Sequence, residues 1–76
     1  MKHGELTEEI IRIFYKVYNT LGYGFLERVY ENALKIEFRK AGIDFENQVP
    51  VQVFYEEEIV GDYVADFIID GRVVVE

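Results

Sequence analysis

Asp66 stands in the run Val64-Ala65-Asp66-Phe67-Ile68-Ile69, a carboxylate among residues that prefer burial. A charge in such a run is costly unless it is paired, hydrogen-bonded or bound to a metal. Two readings follow. In one, Asp66 sits at a sheet margin, accepting backbone hydrogen bonds or reaching solvent; in the other it holds a cation. Glu76 is the acid that would share that cation, and whether it can depends on the loop between the last two strands. A two-residue loop, Asp70-Gly71, would set Asp66 opposite Val75 and turn Glu76 to the other face. A three-residue loop, Ile69 to Gly71, would set Asp66 opposite Val74 and make Glu76 its same-face diagonal neighbour. An Asp and Glu so placed suit a hard divalent ion such as Mg²⁺, which takes one or two protein carboxylates together with water and substrate phosphate. Glu27 lies in the first turn of a helix with Tyr30 three residues on, and the helix dipole alone also accounts for an acid there. His3 is the single histidine and cysteine is absent, so a His-based catalytic set, a thiolate metal site and a disulfide are all excluded.

The elements that must carry these residues are legible as periodicities. Leu6, Ile10, Ile13, Phe14, Val17 and Leu21 recur at three- and four-residue steps, which predicts a helix over Thr7 to Asn19. Thr7 is its N-cap in this reading, Leu6 and Ile11 form a hydrophobic staple, and Gly22 and Gly24 end it. A second helix is predicted over Leu26 to Ala41, with Leu26, Val29, Tyr30, Ala33, Leu34, Phe38 and Ala41 as its apolar side and Gly42 just past its end. The short connection makes the two helices packed neighbours. From Gln48 the period becomes two, predicting a strand to Tyr55 that Pro50 either makes an edge or gives a bulge. Glu56 to Glu58 reads as a turn, Ile59-Val60 as a brief strand interrupted by Gly61, Tyr63 to Ile69 as the strongest strand, and Arg72 to Glu76 as its return. The fold class expected is α+β: two N-terminal helices packed on a small, mostly antiparallel sheet of three to four strands, in one domain over residues 1–76.

Composition bounds what such a domain does. Half of the 76 residues are hydrophobic and 16 % aromatic, enough for a compact core with a thin stability margin. The net charge of −7 disfavours nucleic-acid binding by bulk electrostatics, which requires clustered Lys and Arg. Arg12 with Lys16, and Lys35 with Arg39, offer a local basic stripe or simply solvated helix faces. No apolar run approaches the ~20 residues of a membrane span, and the expected home is the cytoplasm.

Gly24-Phe25-Leu26-Glu27-Arg28-Val29-Tyr30 matches the pattern that names the GxxExxY proteins, a group within the PD-(D/E)xK nuclease superfamily. Glu5-Leu6-Thr7, Leu21-Gly22-Tyr23-Gly24, Glu46-Asn47-Gln48-Val49-Pro50, Tyr63-Val64-Ala65-Asp66 and Val73-Val74-Val75-Glu76 resemble that family in the same order. The resemblance implies a divalent metal, Mg²⁺ or Mn²⁺, held by Asp66 as first acid, Glu76 as second and Glu27 as the helix-borne acid, with Tyr30 and Gln48 in support and nucleic acid as substrate. It also implies a lysine two residues after the second acid, beyond Glu76. The expectation is therefore a truncated, restriction-endonuclease-like core with little or no activity of its own. The alternative is a noncatalytic interaction module that forms a homo-oligomer through an exposed sheet edge.

Overall fold

The computed structural model describes residues 3–76; Met1, Lys2 and the side chain of His3, to which no role was given, lie outside the described residues. Two helices, α1 (His3–Leu21) and α2 (Glu27–Lys40), precede three strands, β1 (Phe45–Tyr55), β2 (Glu58–Ile69) and β3 (Val73–Val75). The class is α+β. The chain divides into a helical unit ending at Ile43 and a sheet unit, Asp44–Glu76.

In the helical unit, α1 begins four residues earlier than its sequence signals indicate. Thr7 lies inside the helix and caps nothing at its start. The reason is the stripe itself: Leu6 is buried with Ile10, Ile13 and Val17, and burying a leucine contributes about 2 kcal/mol against about 1 kcal/mol for a cap. The staple of Leu6 with Ile11 is likewise absent, since Ile11 is exposed. In α2 the buried residues are Tyr30, Leu34 and Phe38. Val29 and Leu26, assigned to the same face from sequence, are exposed; Leu26 precedes the helix as its N-cap.

The end of α2 is a Schellman motif. Ile43 N donates to Phe38 O at 3.0 Å and Gly42 N to Arg39 O at 3.1 Å, with Gly42 left-handed at φ 70°, where a side chain would be strained. Ile43 and Phe38, the hydrophobic pair of that motif, are both buried.

Lys16 and Glu37 join α1 to α2. Lys16 Nζ lies 3.0 Å from Glu37 Oε1, and Lys40 Nζ lies 3.8 Å from Oε2. The hydrogen bond from Lys16 lowers the Glu37 carboxyl below its ordinary value of 4.5, burial opposes it, and the charges of Lys16 and Lys40 add to the lowering. A carboxyl depressed by folding contributes stability that is present above its unfolded value and disappears as pH falls through the folded one. Glu37→Gln is thus expected to melt below wild type at neutral pH, with the gap closing over the window from neutral pH to acid well below the ordinary value of 4.5. Thermal melts at the two ends of that window check it; a gap that is the same at both refutes the pairing.

In the sheet unit the strand order is β1-β2-β3, antiparallel throughout. The β1–β2 turn is only Glu56-Glu57, both left-handed at φ 49° and 70°, a conformation that Asn-Gly usually announces. That is why an acidic turn reaching Glu58 and a separate short strand were expected. Instead Glu58 pairs with Tyr55, and one strand continues through Gly61 to Ile69. The register slips once, from Val53↔Gly61 to Phe54↔Ile59, leaving Val60 as a bulge. β1 has β2 alone beside it among the described residues, so Pro50, paired with Val64, stands on an edge strand as predicted. No described helix is long and apolar enough to cross a membrane.

Candidate metal centre

Along β2 the pleat sends Ala65, Phe67 and Ile69 to a fully buried face, and Val64, Asp66 and Ile68 to the other. Asp66 is half-buried, and no charged side chain among the described residues is fully buried. Asp66 therefore shares a face with Val64 and Ile68 and not the buried face of Ala65, Phe67 and Ile69, because side chains alternate with a period of two.

The loop joining β2 to β3 resolves the question of register, and neither anticipated pairing is the one formed. Ile69 pairs with Val73, Ile68 with Val74 and Phe67 with Val75, so the loop is Asp70-Gly71-Arg72. Asp70 and Gly71 are left-handed at φ 53° and 66°; Arg72 N donates to Ile69 O at 3.0 Å, and Asp70 N to Asp44 O at 2.8 Å. The Arg72 guanidinium clamps the Asp70 carboxylate at 2.7 Å. Carried one step past β3, the same register sets Glu76 directly across from Asp66 on the same face of the sheet. The ladder itself stops at Val75, and Glu76 is exposed.

Gln48 on β1 is opposite Asp66 by register, and its Nε2 lies 3.5 Å from Asp66 Oδ1, the outer limit of a hydrogen bond. Asn47 Nδ2 donates to the Asp66 carbonyl oxygen at 2.7 Å.

In the helical unit the Gly-x-x-Glu-x-x-Tyr segment has a direct physical reading. Gly24 is left-handed at φ 102°, letting the chain turn from α1 into α2. Tyr30 is buried and fastens that turn: its hydroxyl donates to Gly22 O at 2.6 Å and accepts from Phe25 N at 3.4 Å. Its ring stacks on Tyr18 at 4.6 Å and meets Phe25 edge-on at 6.2 Å. Tyr30 is thus a structural support that fixes where α2 starts, and Glu27 is the first residue of that helix.

Sequence reasoning missed Glu31. It is half-buried, one helical turn after Glu27, and the two carboxylates bring oxygens within 4.8 Å of one another. Like charges at that spacing repel by a few tenths of a kcal/mol, and the i,i+4 spacing from Glu27 was the available signal. The donors are carboxylate oxygens throughout, with no cysteine in the chain, which fits a hard divalent cation and not a soft one.

Two of the four residues of the basic stripe, Arg12 and Lys16, have acidic partners on the helices. Arg12 lies 3.8 Å from Glu9, while Lys16 and Lys40 both reach Glu37.

Two helices followed by a three-stranded antiparallel meander, with acids at a helix start and on the central strand, make this an α+β protein with carboxylates on both kinds of element. Residues 4–76 match the family model of the PD-(D/E)XK nuclease superfamily, and the chain belongs to that superfamily. Nothing among the curated proteins or the solved structures matches the chain.

Proposed function

We propose that this chain supplies the metal-binding acids of a PD-(D/E)XK nuclease-like protein, acting on the phosphodiester backbone of nucleic acid. Asp66 is the proposed ligand of the sheet unit with Glu76 as its second acid, Glu27 and Glu31 are the proposed acids of the helical unit, and Mg²⁺ or Mn²⁺ is the ion. The observation that supports this reading is the β2–β3 register, whose last pair, Phe67↔Val75, leaves Asp66 and Glu76 as the next residue on each chain segment. When bound, the cation neutralises charge on phosphoryl oxygens. Gly24 and Tyr30 hold the start of α2, and with it Glu27, so that less ordering is required when the ion arrives.

The competing acid-rich segment is Glu56-Glu57-Glu58 at the tip of the β1–β2 hairpin. Paramagnetic Mn²⁺ titrated into ¹⁵N-labelled protein separates the two. Amide signals around Ala65 to Phe67 should broaden first, whereas broadening centred on Glu56 to Glu58 would sink the proposal.

A second reading, self-association, is favoured by the sheet unit's exposed apolar residues, among them Phe54, Tyr55, Val60 and Val64, and by β3 having a partner strand on one side among the described residues. Light scattering over a range of concentrations should then report a species larger than the 9.0 kDa chain. A constant monomer removes this reading and leaves the first untouched.

A further inference from the structure

β1 and β2 pair residue for residue from Phe45↔Ile69 to Val53↔Gly61 with a single gap, Gln48 opposite Asp66. At that gap the Gln48 backbone is left-handed, φ 56°, a conformation that side chains other than glycine, asparagine and aspartate rarely adopt. The turn lies at Glu56-Glu57, and Val49 and Pro50 on the following positions pair in regular register.

The kink is held by its surroundings. The Asp66 carbonyl, opposite the kink, receives the Asn47 side-chain amide at 2.7 Å. The Gln48 side chain instead directs its Nε2 toward Asp66 Oδ1. A bulge-like break that re-aims one side chain, retained at a cost in backbone strain, is characteristic of a functional position.

We propose that Gln48 is a positioning residue for Asp66. Its strained backbone aims the side-chain amide at Oδ1, fixing the carboxylate orientation and leaving Oδ2 to a divalent cation. This rests on the metal reading above and adds to it a residue that trades stability for affinity. Partners that orient a ligating carboxylate in this way typically change metal affinity by about 10- to 100-fold when removed.

The test pairs calorimetric Mn²⁺ titration with thermal melting on wild type, Gln48→Gly and Gln48→Val. Glycine accepts the left-handed backbone and loses the amide, so Gln48→Gly should melt at or above wild type while binding Mn²⁺ at least about tenfold more weakly. Valine is a strand former that a left-handed backbone rejects, so Gln48→Val should melt lower. In a regular ladder it would instead melt higher. Affinity that is unchanged in Gln48→Gly, a Gln48→Gly protein that loses melting temperature along with affinity, or a stabilised Gln48→Val each overturns the positioning role while wild type still binds. Wild type that takes up no Mn²⁺ removes the metal reading itself, and this role with it.

Discussion

Titrating Mn²⁺ into the Asp66→Ala protein is expected to show affinity lowered by about a hundredfold or more. One unit charge at ~4 Å in an effective dielectric of ~20 contributes ~4 kcal/mol, of which hydration of the freed ion returns a part. Half of that figure already corresponds to more than a tenfold change. The loss should come without unfolding. Asp66 is half-buried on the face opposite Ala65, Phe67 and Ile69, and its backbone carbonyl keeps the Asn47 amide whatever the side chain. The melting temperature should therefore move by only a few degrees. Asp66→Asn separates charge from shape: it retains an oxygen and the volume, removes the negative charge, and should bind almost as poorly as the alanine variant. If Asp66→Ala bound Mn²⁺ like wild type, the ion would belong to the other carboxylates of this acidic chain and Asp66 would be structural.

The second large effect concerns the helical unit. Phe38→Ala is expected to cost about 3–5 kcal/mol, the range for deleting a fully buried aromatic side chain. Phe38 is 0 % exposed, and its carbonyl accepts the Ile43 amide that closes α2, so the cavity opens beside the motif that ends the helix. Against a total stability of roughly 4–11 kcal/mol for a chain of this length, that loss lowers the melting temperature by at least ~12 °C and leaves a measurable unfolded fraction at 37 °C. Far-ultraviolet circular dichroism at rising temperature reads it directly. Val29→Ala, one face round on the same helix and 37 % exposed, is the matched control and should shift the melt by less than about a third as much. Equal shifts for the two would mean that α2 buries a different face.

What the sequence by itself determined was everything that depends on consecutive residues. The stripe from Leu6 through Ile10, Ile13 and Val17 made α1 a helix. Gly42 marked the end of α2, the alternation around Val49 to Val53 made β1 a strand, and Pro50 put it at an edge. The ordered set of short motifs was enough to place the chain in its superfamily. Periodicity is local, and the free energy of burying one face is distributed over many residues, so such features survive small errors in any one of them.

What tertiary structure decided were pairings between distant residues and backbone states that residue type signals poorly. Asp70 joins Gly71 in the left-handed region, and the loop lengthens to Asp70-Gly71-Arg72, so that Phe67 pairs with Val75 and neither anticipated register forms. Glu56, Glu57 and Gln48 are left-handed without being glycine or asparagine, so neither the tight hairpin nor the break opposite Asp66 was announced by composition. Thr7 offered a cap that the burial of Leu6 overrode. In each case the competing local conformations differ by only about 1–2 kcal/mol, and contacts made elsewhere in the fold select among them.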